Sequence, residues 1–126
     1  MKKTFGTALN CIDGRTQIPI INWMKENFDL DYVDLITEPG MDRVLSQGDY
    51  FETERLKEKV LISVTSHNSN VAAVVGHYDC AANPVSDGEH FRDIAESTLI
   101  VKSWGLPVEV IGLWVDEHWH VHVVSL

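Results

Sequence analysis

Cysteine is scarce in this sequence, and long apolar segments are missing. The two cysteines, Cys11 and Cys80, are too few for the disulfide framework of a small secreted domain. No stretch approaches the ~18 uninterrupted apolar residues of a membrane span, and the apolar segment near the start ends by Asn10, too early for a secretory signal. We therefore expect a cytoplasmic protein without membrane partners. Both thiols should stay reduced, either as inert core residues or as ligands.

Basic residues are few as well. Ten Lys and Arg stand against nineteen Asp and Glu, which gives a formal net charge of −9, and a domain this acidic repels phosphate backbones. A glycine-rich phosphate loop and the spacing of a nucleophile elbow are also absent. The composition therefore argues against nucleic acid as a partner.

The 126 residues, 44% of them hydrophobic, suit one domain over residues 1–126, stable without disulfides. Strands are predicted at residues 5–10, 32–36, 71–76, 108–115 and 118–125. The run 71–76 is apolar throughout, as in a central parallel strand, whereas 118–125 alternates like an antiparallel edge strand. Helices are predicted at 49–67 and 88–103, with a helical turn at 41–47. A further helix is predicted after Thr16, which would act as its N-cap. Pro19 would lie in the first turn of this helix, and Ile18 would lie on its buried side. This alternation indicates a three-layer α/β fold.

Three side chains that bind soft metals fall near the ends of predicted strands. Cys11 ends the first strand, His77 follows the third, and Cys80 lies in the loop after His77. In a doubly wound sheet such groups gather at the carboxyl edge. If the two strands are neighbours, two thiolates and one imidazole converge. A Cys₂His set with an open fourth position is typical of catalytic zinc. Water or the carboxylate of Asp13 would fill the fourth position.

Asp13 and Arg15 form a second candidate pair. In an extended segment, residues two apart point the same way and can form a bidentate ion pair. Such a pair would hold the Asp13 carboxylate away from the metal and leave it free to accept a hydrogen bond from water. Without Arg15, Asp13 could become the fourth ligand.

The segments CIDGR (residues 11–15) and GHYDC (residues 76–80) resemble the Cys-x-Asp-x-Arg and His-x-x-Cys motifs of the β-class carbonic anhydrases. The resemblance implies strand order 2-1-3-4 with an antiparallel fifth strand and helices on both faces. It also implies Zn²⁺ held by Cys11, His77 and Cys80, with Asp13 and Arg15 as the catalytic dyad. The activity it implies is reversible hydration of carbon dioxide to bicarbonate, in a pocket at a homodimer interface.

The sequence departs from the family pattern beside these motifs. Residues 37–40 read TEPG, where the family usually has Arg-Asn-Ala-Gly, and Ala81 stands where the family commonly has glycine. By the resemblance Gly40 and Ala81 would border the substrate, and Glu38 would lie near the metal and repel bicarbonate. Ten residues precede Cys11 in this sequence, so we expect no counterpart of the family's N-terminal helical arm and expect apolar residues near the first helix to form the dimer interface instead.

Two alternatives follow from these departures. The zinc site could act on a related small electrophile, carbonyl sulfide or carbon disulfide. The chain could also be a non-catalytic zinc-binding member in which Asp13 closes the site.

Three histidines, His118, His120 and His122, alternate along the last predicted strand. We interpret them as the solvent-facing side of an edge strand whose other side, Trp119, Val121 and Val123, packs inward. A second metal site is the alternative.

Overall fold

The computed structural model describes residues 2–125. It consists of five strands and four helices: β1 (Phe5–Asn10), α1 (Gly14–Phe28), β2 (Tyr32–Thr37), α2 (Met41–Gln47), α3 (Tyr50–His67), β3 (Val71–His77), α4 (Asp87–Ser103), β4 (Glu109–Val115) and β5 (Val121–Ser125). The predicted turn at 41–47 is a separate helix, α2. No helix in this part of the chain combines the length and apolar character that crossing a membrane requires.

One sheet runs through the molecule in the order β2-β1-β3-β4-β5. The first four of these strands are parallel, and β5 is antiparallel to β4. The predicted topology is therefore confirmed. Every residue of β3 is buried, as expected for a central strand covered on both faces.

Helices cover both faces of the sheet, which confirms the predicted three layers. On one face α1 packs over one core cluster: Ala8, Ile20, Met24, Leu30, Val71, Ala73, Val75, Ile111, Leu113 and Val115. On the other face, α2, α3 and α4 enclose a second core cluster, which consists of Leu9, Ile36, Met41, Leu45, Leu56, Val60, Val64, Val74, Val101 and Val110. Neighbouring residues of one strand, such as Ala8 and Leu9, supply opposite clusters because side chains alternate across a sheet.

The start of α1 differs from the prediction. Its N-cap is Asp13, whose carboxylate accepts the backbone N–H of Arg15 at 3.0 Å. Thr16 instead lies buried in the first turn and donates its hydroxyl to the Asp13 carbonyl at 2.8 Å. The helix therefore begins earlier, Pro19 lies inside it, and Ile18 is 64% exposed rather than buried. Asp is at least as good an N-cap as Thr, so the earlier carboxylate sets the boundary.

The last strand begins later than predicted, at Val121, so His118 and His120 lie in the preceding turn. One oxygen of Asp116 accepts the backbone N–H groups of both histidines, at 2.8 and 2.9 Å. Trp119 has a left-handed φ of 63°. This Asp-centred turn takes up the backbone donors that a strand would have used. Trp119 and Val121 pack against the α1-side core as expected, but Val123 is 47% exposed.

Candidate metal centre

The carboxyl edge of the sheet brings three metal-binding side chains together. Because β1 and β3 are parallel neighbours, Cys11 after β1 faces His77 at the end of β3. The loop after His77 returns Cys80 to the same point. The two sulfurs and a ring nitrogen of His77 all lie within 4.8 Å of one another, and all three residues are buried. Both cysteines are free thiols.

The imidazole of His77 is arranged as a ligand would be. Its Nδ1 lies 2.7 Å from the Tyr78 carbonyl oxygen, and its buried Nε2 has no hydrogen-bond partner. An Nδ1–H donor to a carbonyl leaves the lone pair on Nε2, the tautomer that metal-binding histidines use. A buried polar atom without a partner is costly. A metal ion held with the two sulfurs satisfies this nitrogen, so the residues fit the ion.

The two thiols share their environment. The hydrogen bond with Cys80 is the largest influence on Cys11 and lowers its pKa, while the same bond raises the pKa of Cys80. The pair therefore holds one negative charge readily. Backbone groups add to this: Gly40 donates to Cys11 Sγ at 3.4 Å, and the main-chain groups of Asn83 and Ala82 oppose the rise in the pKa of Cys80.

Asp13 and Arg15 form the expected ion pair, but through a helix N-terminus and not an extended segment. The Asp13 carboxylate receives the Arg15 backbone N–H as the N-cap, and its other oxygen accepts Nη2 at 2.7 Å. The Arg15 Nε also donates, at 3.0 Å, to the oxygen bound by the backbone. The hydrogen bond from Arg15 is the main reason that the pKa of Asp13 falls to about 2. The carboxylate is thus a fixed, ionised acceptor.

Two further residues, both missed by the sequence reasoning, hold Arg15 in place. Arg15 donates from Nη1 to the Asp79 carboxylate at 3.3 Å and from Nη2 to the Asp79 carbonyl at 3.2 Å. Its Cζ lies 4.6 Å from the centre of the Trp119 ring, a cation–π contact. Trp119 reaches this position from the turn between β4 and β5, so no local motif could have identified it.

A small cleft opens beside Cys11 and Asp13. It has a volume of about 180 Å³, and its other walls are apolar: Ile12, Pro39, Ala81 and Ala82. Ala81 lines this cleft, and its contact with a substrate stays a prediction. Gly40 is not among the lining residues and instead contacts the Cys11 sulfur. Glu38 lines a different depression, with Val44, Glu52 and Arg55, and is not among the residues that line the cleft. Its closeness to the metal stays a prediction.

Comparison with known proteins agrees with this geometry. The family model described as "Putative carbonic anhydrase" matches residues 1–125. The chain belongs to this carbonic anhydrase family. None of the curated proteins compared with the chain matches it.

Solved carbonic anhydrases share the fold. The β-carbonic anhydrase isoform I of Trichomonas vaginalis is 13% identical, with a TM-score of 0.65 over 94% of this chain and 81% of its own. The carbonic anhydrase of Glaciozyma antarctica is 14% identical, with a TM-score of 0.60 and the same coverage. The β-carbonic anhydrase CafA of Aspergillus fumigatus is 12% identical, with a TM-score of 0.52 over 97% and 76% of the two chains. At these identities the likeness concerns the fold, which is that of the β-class.

The three histidines near the end of this family member do not form a second metal centre. Within residues 2–125, Cys11, His77 and Cys80 are the one group of three or more metal-binding side chains that converges. His122 Nε2 lies 2.6 Å from the Asp116 carboxylate, and His118 Nε2 lies 3.7 Å from Glu117. The imidazoles of His118 and His122 are exposed. Their partners are therefore carboxylates of the same turn.

A buried polar network, not anticipated from the sequence, lies next to the loop that carries Cys80. We call Asp42, Asn83, His90 and Asp93 the Asp42 network. His90 Nδ1 lies 2.6 Å from the Asp42 carboxylate, and both side chains are 2% exposed. The Asn83 amide donates to Asp42 at 3.1 Å and to Asp93 at 3.0 Å. One signal was present: in α4, His90, Asp93 and Ser97 recur at helical spacing among buried residues.

Proposed function

We propose that this protein catalyses the reversible hydration of carbon dioxide to bicarbonate with Zn²⁺ held by Cys11, His77 and Cys80. One observation carries the proposal. A buried imidazole nitrogen without a partner and two cysteine sulfurs converge beside a carboxylate that an arginine immobilises. Membership of the carbonic anhydrase family supports the same reaction.

The donor set favours zinc. Two soft sulfurs and one imidazole suit Zn²⁺ far better than Mg²⁺ or Ca²⁺, and three protein ligands leave one position open. When bound, zinc would supply Lewis acidity, which lowers the pKa of water in that position towards neutral pH.

Asp13 orients the reacting water. Arg15 donates to both carboxylate oxygens. Oδ1 also accepts the Arg15 backbone N–H, so Oδ2, whose short hydrogen bond comes from Nη2, is the oxygen with a lone pair left to accept a further hydrogen bond. Because Arg15 holds this carboxylate, it acts as a fixed acceptor that selects one orientation of the donor. Asp13 is not part of the converging group of ligand atoms. This supports an open site over the arrangement in which Asp13 completes the ligand set.

The cleft suits a small uncharged substrate. Ile12, Pro39, Ala81 and Ala82 present apolar walls, and no lysine or arginine lines the cleft. Such walls accept carbon dioxide and exclude bulk water, and they give a bicarbonate product no cationic partner that would retain it. Ala81 is therefore proposed as a substrate contact. Gly40 is proposed to act through the hydrogen bond that it donates to Cys11.

Stopped-flow hydration of carbon dioxide, followed with a pH indicator, tests the proposal on protein with measured zinc content. We expect one zinc per chain and strong acceleration that disappears in Cys80→Ser. Stoichiometric zinc without acceleration at neutral or mildly alkaline pH would contradict carbon dioxide as the substrate. A parallel assay with carbonyl sulfide and carbon disulfide separates the alternatives: activity on these alone indicates a zinc hydrolase, and no activity on any of them indicates a non-catalytic member.

We also propose that the chain works as a homodimer in the cytoplasm. Ile12, on the cleft, and Ile18, in α1, are 55% and 64% exposed, and a second copy would bury apolar surface of this kind. The free thiols Cys11 and Cys80 suit a reducing compartment. Light scattering at micromolar concentration should give a dimer mass, and a monomer mass would contradict the interface.

A further inference from the structure

The Asp42 network ties two helices to the loop that carries Cys80. Asp42 lies in α2, His90 and Asp93 lie in α4, and Asn83 lies in the loop between β3 and α4. The single amide nitrogen of Asn83 donates to both carboxylates. This cluster is buried and polar, and replacing buried ionic groups by apolar residues of similar volume is often neutral for stability. Its chemistry therefore calls for an account beyond core packing.

The network is tied to the segments of both cysteines. Asn83, whose side chain donates to Asp42 and Asp93, lies three residues after Cys80 in the same loop. Gly40, the N-cap of α2 two residues before Asp42, donates to Cys11 Sγ at 3.4 Å. Asp42 therefore anchors the loop that carries Cys80 and lies in the first turn of the helix whose N-cap supplies an N–H group to the Cys11 sulfur.

The network also borders the strand that presents His77. A Cβ placed on Gly76 would lie 2.8 Å from Asp42 Oδ2, so the carboxylate lies directly against the backbone that precedes His77. On the surface, Arg43 donates from Nη1 to the Ala82 carbonyl at 3.1 Å, a second link between α2 and the Cys80 loop. Asp42 and its neighbours therefore contact the segments of all three candidate ligands.

We propose that Asn83 and Asp42 are positioning residues of the metal centre, which hold the Cys80 loop and the N–H donor of the Cys11 sulfur in register with His77. This rests on the proposed zinc site. Outer partners of metal ligands orient those ligands, and their loss typically weakens metal binding by about 10- to 100-fold. The network acts on affinity and ligand field through the loop and touches neither substrate nor metal.

The test compares Asn83→Ala with Thr7→Val. Thr7 is equally buried and makes two side-chain hydrogen bonds, to Ser63 at 2.6 Å and to Ser69 at 2.7 Å, away from the metal loop. Zinc affinity is measured by competition with a chromophoric chelator, and the site is also loaded with Co²⁺ to record its thiolate charge-transfer spectrum. We expect Asn83→Ala to weaken Zn²⁺ binding by about 10- to 100-fold and to change the cobalt spectrum. Thr7→Val should lose thermal stability with both readouts unchanged.

Equal zinc affinity and equal cobalt spectra in Asn83→Ala and wild type would overturn the inference, as would equal losses in both variants. A second pair decides the matter if Asn83→Ala does not fold. Arg43→Ala removes the exposed link to Ala82, and Arg55→Ala removes an exposed arginine of α3. Only Arg43→Ala should weaken zinc binding, and an unchanged affinity would count against the proposal. Failure of wild-type protein to bind zinc would instead refute the proposed function.

Discussion

Two regions of the molecule hold three metal-binding side chains each, and they differ in almost every physical respect. At the carboxyl edge of the sheet, Cys11, His77 and Cys80 come from distant parts of the chain and converge in a buried site. In the turn before β5 and in β5 itself, His118, His120 and His122 are close in sequence but do not converge. The three histidines are regularly spaced in the sequence, but this spacing does not bring them together. The cysteine site forms because β1 and β3 pair in parallel and their carboxyl ends lie side by side.

The hydrogen-bond partners of the histidine ring nitrogens explain the difference between the two regions. His77 Nε2 is buried and lacks a partner, so its lone pair is available to a ligand. His122 already pairs with Asp116 at 2.6 Å, and His118 lies 3.7 Å from Glu117. A metal would have to replace these contacts in water, where nothing holds the rings together. Ligand side chains that converge around a buried nitrogen without a hydrogen-bond partner indicate a metal site more reliably than histidines that are regularly spaced in the sequence.

Exchanging ligands in the two regions should give the largest contrast. Cys80→Ser should reduce bound zinc from one per chain to background, because one of the two soft donors is lost. The triple variant with His118, His120 and His122 each changed to Gln should keep one zinc per chain. Elemental analysis after dialysis measures both. The opposite pattern would reverse the assignment of the two regions.

Arg15→Ala sharpens the comparison within the cysteine site. Removing the guanidinium frees Asp13 to turn towards the metal, so carbon dioxide hydration should fall by about 10- to 100-fold while zinc stays bound. Arg55→Ala, which also removes one exposed positive charge, is the control and should keep full activity. Stopped-flow rates of carbon dioxide hydration and the zinc content of both variants test this prediction. Loss of zinc in Arg15→Ala would contradict the orienting role of this pair.

Trp119 connects the two regions, so its substitution should have a smaller effect. Its ring lies 4.6 Å from Arg15 Cζ, and an exposed cation–π contact of about 0.5–1 kcal/mol corresponds to a two- to fivefold change. Trp119→Ala should lower the hydration rate by about that factor, and Trp119→Phe should retain part of the contact. Identical rates in both variants and wild type would show that the ring does not support Arg15.

The smallest effect concerns the histidine turn alone. The hydrogen bond from His122 and the N–H groups of His120 and His118 lower the pKa of Asp116 below its ordinary value of 3.8. A lowered native pKa stabilises the fold above the ordinary value, and this stabilisation disappears as pH falls towards the native one. Asp116→Asn should therefore lower Tm slightly at neutral pH.

The Tm difference between Asp116→Asn and wild type should shrink in acid and in high salt, because the pair is exposed. Zinc affinity should not change. A Tm difference that grows as pH falls would contradict the role of the ionised carboxylate in the turn.

Much of the fold, and the three side chains that converge, could be predicted from the sequence wherever a pattern had a direct physical cause. The apolar run at 71–76 identified the central strand, and the Asp49–Glu52 capping box fixes the start of α3 where a helix was predicted. Cys11, His77 and Cys80 were identified because both cysteines of the chain and one histidine fall near the ends of predicted strands. Strand order came from the family resemblance.

The errors arose where one side chain redirected the backbone. Asp13 caps α1 before Thr16 can, and Asp116 gathers the N–H groups that the predicted strand would have paired. The contacts of Arg15 with Asp79 and Trp119, and of Asn83 with Asp42 and Asp93, join residues far apart in the chain. No repeating pattern within a short stretch of sequence predicts such contacts. The residues that hold the site in place were therefore recognised only from the structure.

X-ray absorption at the zinc edge of the wild-type protein tests the central claim most directly. The account predicts two sulfur neighbours at about 2.3 Å and one imidazole nitrogen at about 2.0–2.1 Å, with one further light atom. A zinc ion surrounded by nitrogen and oxygen alone would place the metal elsewhere, for instance on the histidine turn, and would contradict the account.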